Sequence, residues 1–430
     1  MKKLSLEKVT QFAFVFFIPI YMTNYYFFMR GINVNMFMYF PALALLLLKI
    51  FSLFLKSDRS SFIHGVNLYL LYLVISVVLY SVNDAPISCY TGMFTSYILP
   101  FSFVYLGYRY SNDNKYNKWY LYGCAICFLI GFYLYFTAPS YYYDFLRNNV
   151  DESSELSAYM GSKNIDILDV TRFSSFFGNS YVISYFSIPA LILSLGYTLR
   201  DDSGIKKTVL YIIAVVSILA AILCQQRIAM AFAVIITFFY GIYSLRSGKG
   251  GRLLQISIIF AIIFASSLFF ISTLPRFDVV YEIIKEQASR MVFSDAMAER
   301  VNQYSEFNRS TWWSFFVGLG FGACSPQALR SGLAGIADGE FVKMFYEIGV
   351  IGTVFFVAIV YATLKKGIKN FKLYNMEVLI ILFFLAAGIA SDSLTMNIPC
   401  AMFWFSIGRI WNKEYSVIIQ LDKKITNYIK

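Results

Sequence analysis

A chain of 430 residues with 58% hydrophobic and only 14% charged side chains does not fit a water-soluble protein, because soluble domains are about half apolar and about a quarter charged. The formal charge of +11 does not make it a nucleic-acid binder: its Lys and Arg sit in short segments between apolar runs and form no basic stripe interleaved with aromatics. One histidine, His64, excludes a multi-histidine metal centre.

A bilayer-spanning helix needs about 20 mostly apolar residues, and about twelve such runs follow one another along the chain. They fall near 10–29, 35–55, 63–82, 90–108, 119–138, 179–199, 207–224, 228–245, 253–274, 341–364, 376–392 and 396–411. The first run, after Lys2, Lys3 and Lys8, is too long for a cleaved leader and lacks a small-residue cleavage site, so it is expected to be a membrane helix. The expected fold is all-α, a polytopic integral membrane protein of about 12 transmembrane helices in a single membrane domain over 1–430.

With both termini cytoplasmic, most of the 36 Lys and Arg fall on the inner side, among them Lys49, Lys56, Arg59, Lys206, Lys207, Lys365, Lys366 and Arg409. The short outer loops near Asn83 and Asp392 carry none. That asymmetry sets the orientation. Two long loops, about 139–178 and about 275–340, then face outward into the periplasm. The first opens with Tyr141, Tyr142 and Tyr143. In the second, Val280, Ile283, Ile284 and Gln287 repeat at helical spacing and predict an amphipathic helix on the membrane surface. Trp312 and Trp313 suit the interfacial belt beside it.

Of the six cysteines, Cys124 and Cys127 make a C-x-x-C inside the fifth run. With no second pair and no histidine nearby, the pair reads as packing. Neither a metal nor a cofactor is expected.

Charged residues near the membrane are more informative. Arg172 opens RFSSFFGNSYVISYF just before the sixth run, and Arg227 lies in CQQRIAM with no room for a loop. An arginine there either snorkels to headgroup phosphate or recognises a phosphorylated lipid, since guanidinium binds phosphate oxygens bidentately and keeps its charge. Gly318, Gly320 and Gly322 form a G-x-G-x-G that follows no strand and lacks the lysine of a phosphate loop, so it predicts a tight turn. Beyond it come Arg330 and Asp338, then Glu340, Lys343 and Glu347 at the start of an apolar run. The last three share one helical face. Carboxylates there need a reason: either a Lys–Glu pair pins the helix end, or the stripe lines a site.

Three segments together resemble the O-antigen polymerase and ligase superfamily. Arg172 to Asn179 is similar to its Arg-x-x-small-x-x-Gly-Asn run, and Gln225 to Ala229 to its Ser-Arg-x-small run. Asp338, nine residues before Glu347, with Gly349 and Gly352 after it, is similar to its His/Asp…Glu-x-Gly-x-x-Gly signature. Arg309 followed after ten residues by Gly320 also looks like an Arg-x10-Gly pattern of some polymerases. The resemblance implies a Wzy-type polymerase of the bacterial inner membrane. Such an enzyme joins glycan repeat units carried on undecaprenyl pyrophosphate at the outer face, for O-antigen or capsule. Its donor and acceptor are both lipid-linked, and a chain-length regulator and a flippase are its pathway partners. Arg172, Arg227, Arg309 and Arg330 would hold the pyrophosphate. Asp338 first, and Glu340 or Glu347 second, would serve as the catalytic carboxylate. The chain departs from the ligases, which carry a histidine where Asp338 stands. A polysaccharide-lipid flippase or other transporter, and the ligase itself, are the alternatives.

Overall fold

The computed structural model describes residues 61–76, 97–98, 100–110, 115–137, 173, 175, 180–200, 204–224, 226–246, 312–320, 322–324, 339–389, 391, 393–395 and 399–412. Its elements are α1 (Ser61–Ser76), α2 (Phe101–Tyr110), α3 (Lys115–Thr137), α4 (Ser180–Leu199), α5 (Lys207–Leu223) and α6 (Arg227–Arg246), then α7 (Trp312–Val317), α8 (Glu340–Lys369), α9 (Phe371–Ala387) and α10 (Ala401–Trp411). Among the described residues all regular structure is helical. Among the described residues four helices are long and apolar enough to cross a bilayer, over Tyr116–Tyr135, Tyr181–Leu199, Arg227–Ser244 and Glu340–Lys369. This is a helical protein built for a membrane. The runs expected near 10–29, 35–55 and 253–274, the first long loop up to Thr171, and the amphipathic helix near 280–287 lie outside the described residues.

The described helices fall into two compact units. In one, α4 is the central element and packs on α5 and α6. Almost all of α4 is buried, including Ser184, Ser187, Ser194 and Thr198. Each of these hydroxyls donates to the carbonyl three residues earlier, at 2.6 Å for Ser184, 3.3 Å for Ser187, 3.0 Å for Ser194 and 2.6 Å for Thr198. The helix thus satisfies its own polar side chains and still buries every face. Its neighbours do the opposite. On α6, Val234 and Phe238 are 71% and 70% exposed, and α3 exposes Ile126, Leu129 and Tyr133. Large apolar side chains at spacings of three and four, left open on a long helix, are what lipid requires. Cys124 and Cys127 are buried free thiols on α3, as the packing reading expects.

The other unit holds α1, α2, α7, α8, α9, α10 and the first turn of α3. Its middle is aromatic. Phe101 and Trp404 stand 4.8 Å apart, Tyr69 meets Phe101 at 5.5 Å, and Phe356 of α8 meets Trp404 at 6.2 Å. Helices α8 and α9 turn about Asn370, whose Nδ2 donates to the Lys366 carbonyl at 3.2 Å. Near that turn Arg409 Nε lies 3.1 Å from Glu377 Oε1, both side chains buried. Arg409, expected among the basic residues at the inner membrane edge, is therefore part of a buried ion pair. Trp411 stacks on Phe62 at 4.5 Å and donates from Nε1 to Thr363 Oγ1 at 2.9 Å.

Helices α2 and α10 approach backbone to backbone. A Cβ on Gly107 would run into the Phe405 carbonyl, and one on Gly408 into that of Val104. Small residues on facing positions are how membrane helices obtain contact without a hydrophobic drive. Gly408→Val should therefore cost about 1–3 kcal/mol, read as a lowered unfolding midpoint of the purified protein in detergent. Gly65→Ala, where nothing lies within 4 Å, should not. Equal midpoints for Gly408→Val and wild type would rule out this packing.

Candidate functional site

Helix α8 begins at Gly339, whose φ of +109° is open to glycine and strained for other residues. Glu340 then fixes the helix mouth with three hydrogen bonds. Its N–H donates to the Gly388 carbonyl at 3.0 Å. Its carboxylate accepts from the Leu394 N–H at 3.1 Å and from Thr395 Oγ1 at 2.8 Å. The side chain is fully buried. The segment between α9 and α10 is thus tied to the first turn of α8. Ser393 Oγ reinforces it by donating to the Phe384 carbonyl at 2.8 Å.

Two turns on, α8 breaks. Gly349 has φ +64° and ψ −173° inside the helix. The break frees carbonyls that a continuous helix would use, and in lipid they must find donors within the protein. They find them in the glycine-rich loop. Leu319 N–H donates to the Tyr346 carbonyl at 2.8 Å, and Gly320 N–H to that of Glu347 at 3.0 Å. Tyr72 of α1 reaches the Ile348 carbonyl at 2.7 Å and the Val317 carbonyl at 3.0 Å. The Gly352 N–H hydrogen-bonds to the same hydroxyl. Tyr72 therefore stands in the ladder where Gly352 would have met Ile348.

The Glu347 side chain completes the clasp. Its Oε1 accepts from the Cys324 N–H at 3.0 Å, and its Oε2 from the hydroxyl of Tyr97. Gly322 N–H also reaches this carboxylate, and Lys343 interacts with it electrostatically. Gly318 and Gly349 pack against each other with no side chain between them: a Cβ on either would strike the other's backbone segment. Gly318, Gly320 and Gly322 all have positive φ, at 85°, 98° and 95°, so the tight turn expected from the G-x-G-x-G is present. Its place is on α8.

Glu340, Lys343 and Glu347 do share one buried face of α8. Both carboxylates are held by neutral donors on both oxygens. Sequence reasoning missed the donors Tyr97, Leu394 and Thr395, and Tyr72 at the neighbouring carbonyls: all four lie far away in the chain, and a tyrosine in an apolar run among 34 tyrosines carries no signal of its partner. Asp338, Arg309 and Arg330 lie outside the described residues, as do Arg172 and Tyr141 to Tyr143. Arg227 is the first residue of α6 and is exposed. The residue after Arg172 comes to its neighbourhood: Phe173 N–H donates to the Leu223 carbonyl at 3.0 Å, at the turn leading into α6. Phe173 is buried against Phe132 and Tyr135, with centroids 4.8 and 5.8 Å away. Ser175, the small residue of the Arg172 run, packs on Gly131 and donates to the Cys127 carbonyl at 3.0 Å. A large side chain at either position would not fit. Trp312 and Trp313 on α7 are 64% and 60% exposed.

No protein-family model matches the chain, and no curated protein matches it.

If the clasp depends on glycine geometry, Gly349→Ala should open it. An alanine there carries strain of about 1–3 kcal/mol and meets backbone. Amide hydrogen exchange at Leu319 and Gly320 should speed up by about tenfold or more. Unchanged protection at both amides would mean that the loop holds itself without the break.

Proposed function

We propose that the protein is a membrane glycosyltransferase of the polymerase type, extending glycans carried on undecaprenyl pyrophosphate at the outer face of a bacterial inner membrane. The observation that carries this reading is the coincidence between the resemblance and the clasp. Each residue of the Glu347-x-Gly349-x-x-Gly352 segment has a separate task there. Glu347 fastens the glycine loop, Gly349 makes the break, and Gly352 leaves room for Tyr72. That division of tasks supports the reading. In the same way Ser175 has a packing reason to be small, and the Arg172 run meets the turn that bears Arg227.

In this reading the acceptor hydroxyl attacks the anomeric carbon of the donor glycan. The bond from that carbon to the lipid pyrophosphate breaks, and the pyrophosphate leaves with the electron pair. Arg172 and Arg227, with Arg309 and Arg330, stabilise its growing negative charge. Asp338, beside the Gly339 cap, takes the proton from the acceptor. Glu340 and Glu347 have both oxygens engaged and hold the mouth in place. The leaving group supplies the driving force, so no nucleotide sugar enters. The two termini are cytoplasmic, with about twelve spans and the long loops outside.

A transporter is the second reading, and the broken α8 favours it, because discontinuous helices mark transport sites. Against it, the carbonyls at the break are already taken by Leu319, Gly320 and Tyr72, whereas a transport site offers such groups to its cargo.

Purified protein with synthetic lipid-linked repeat units, and without nucleotide, should make longer chains. Arg172→Ala and Arg227→Ala should each abolish long chains at unchanged protein level. Asp338→Asn should slow turnover by about 10²–10⁴-fold. Normal chain-length ladders in both arginine variants would end this assignment.

A further inference from the structure

We propose that Tyr72 and Tyr97 are positioning residues: their two hydroxyls hold the Gly318–Cys324 loop on the broken turn of α8 and so set the geometry of the acidic helix mouth. This rests on the transfer reading for its functional half, and on the clasp alone for its structural half.

The α8 segment from Glu340 to Ile348 is held at both ends. At its start the Glu340 carboxylate takes the Leu394 N–H and the Thr395 hydroxyl. At its end the break at Gly349 separates it from the rest of the helix. Nothing in the helical ladder fixes that end, so loop and side-chain donors must. Two of the donors are backbone N–H groups of Leu319 and Gly320, which belong to the loop itself. They hold the loop to α8 only if the loop is in place.

Tyr72 and Tyr97 come from elsewhere. Tyr72 is on α1 and Tyr97 lies just before α2. Each brings a hydroxyl from an independent part of the fold to the same joint. Tyr72 spans it, touching the loop at the Val317 carbonyl and the helix at the Ile348 carbonyl. Tyr97 acts through Glu347, whose other oxygen holds the Cys324 N–H. Tyr97 thus keeps the carboxylate turned toward the loop. Phenylalanine would fill either space and lose only the hydroxyl, which makes the role separable from packing.

Cys324 supplies a native reporter. It is buried as a free thiol at the end of the loop. With Cys89, Cys124, Cys127, Cys224 and Cys400 replaced by alanine, N-ethylmaleimide reports release of the loop in the full-length protein in nanodiscs. Tyr97→Phe loses one charge-assisted hydrogen bond and Tyr72→Phe the contacts of its hydroxyl to Val317, Ile348 and Gly352, so each should raise the labelling rate by about tenfold or more. Tyr361→Phe, on an exposed position of α8, should leave it unchanged. In the extension assay with synthetic undecaprenyl-pyrophosphate repeat units, both variants should lower kcat by a similar factor and leave KM within about twofold, as loss of an interaction felt only in the transition state requires. If Tyr97→Phe does not fold, Glu347→Gln keeps an acceptor for Cys324 and replaces the bond to Tyr97 by a neutral one, so labelling should rise by a smaller factor.

Labelling that stays at the wild-type rate in both tyrosine variants overturns the clasp. Labelling that rises with kcat unchanged overturns the positioning role. A wild-type protein that never extends chains overturns the transfer reading and the role with it, while labelling still decides whether the hydroxyls hold the loop.

Discussion

A membrane helix that breaks must satisfy the backbone groups it releases, and no water is there to do it. The turn at Gly349 imposes that condition, and the surrounding unit is arranged to meet it. A glycine-rich loop brings two N–H donors, and α1 brings a hydroxyl that fills the gap between Ile348 and Gly352. The loop can come so close only because Gly318 and Gly349 have no side chains. Gly318, Gly349 and Gly352 are each explained by one of these contacts.

The clasp also decides what the buried charges are for. A carboxylate in an apolar helix is costly unless hydrogen bonds replace its water. Glu340 and Glu347 obtain them from chain segments that need fastening: the connection between α9 and α10 in one case, the glycine loop in the other. The cost of burial is offset by the same bonds that organise the mouth. The opposite end of the unit follows a different rule. There Glu377 and Arg409 meet each other as an ion pair, and an aromatic layer around Trp404 separates the two ends.

Much of the helical architecture is legible in the sequence, because lipid leaves few options and apolar runs announce themselves. The turn at Gly318–Gly322 and the shared face of Glu340, Lys343 and Glu347 are equally legible, since each rests on local spacing. The break at Gly349 is not. A glycine within a long apolar run is common, and what turns it into a break is its pairing with Gly318, thirty-one positions away in the chain. Tyr72 and Tyr97 are hidden for the same reason. Glu377 gives a fainter signal: an ionisable residue in an apolar run calls for a partner, but nothing in the spacing points to Arg409.

The part played by the two buried acids of the mouth follows from hydrogen bonding. A general base must offer a free lone pair to a hydroxyl proton. Glu340 accepts from two donors and Glu347 from Tyr97 and Cys324 at least, so protonating either would weaken a contact that shapes the site. An acid so engaged keeps other groups where they are. Asp338 differs by its place in the chain: it precedes the Gly339 cap and so stands before the first bonded turn of α8. The family-like spacing that joins Asp338 to Glu347 then has a physical content. It runs from the residue before the Gly339 cap to the acid at the joint that holds the mouth in shape.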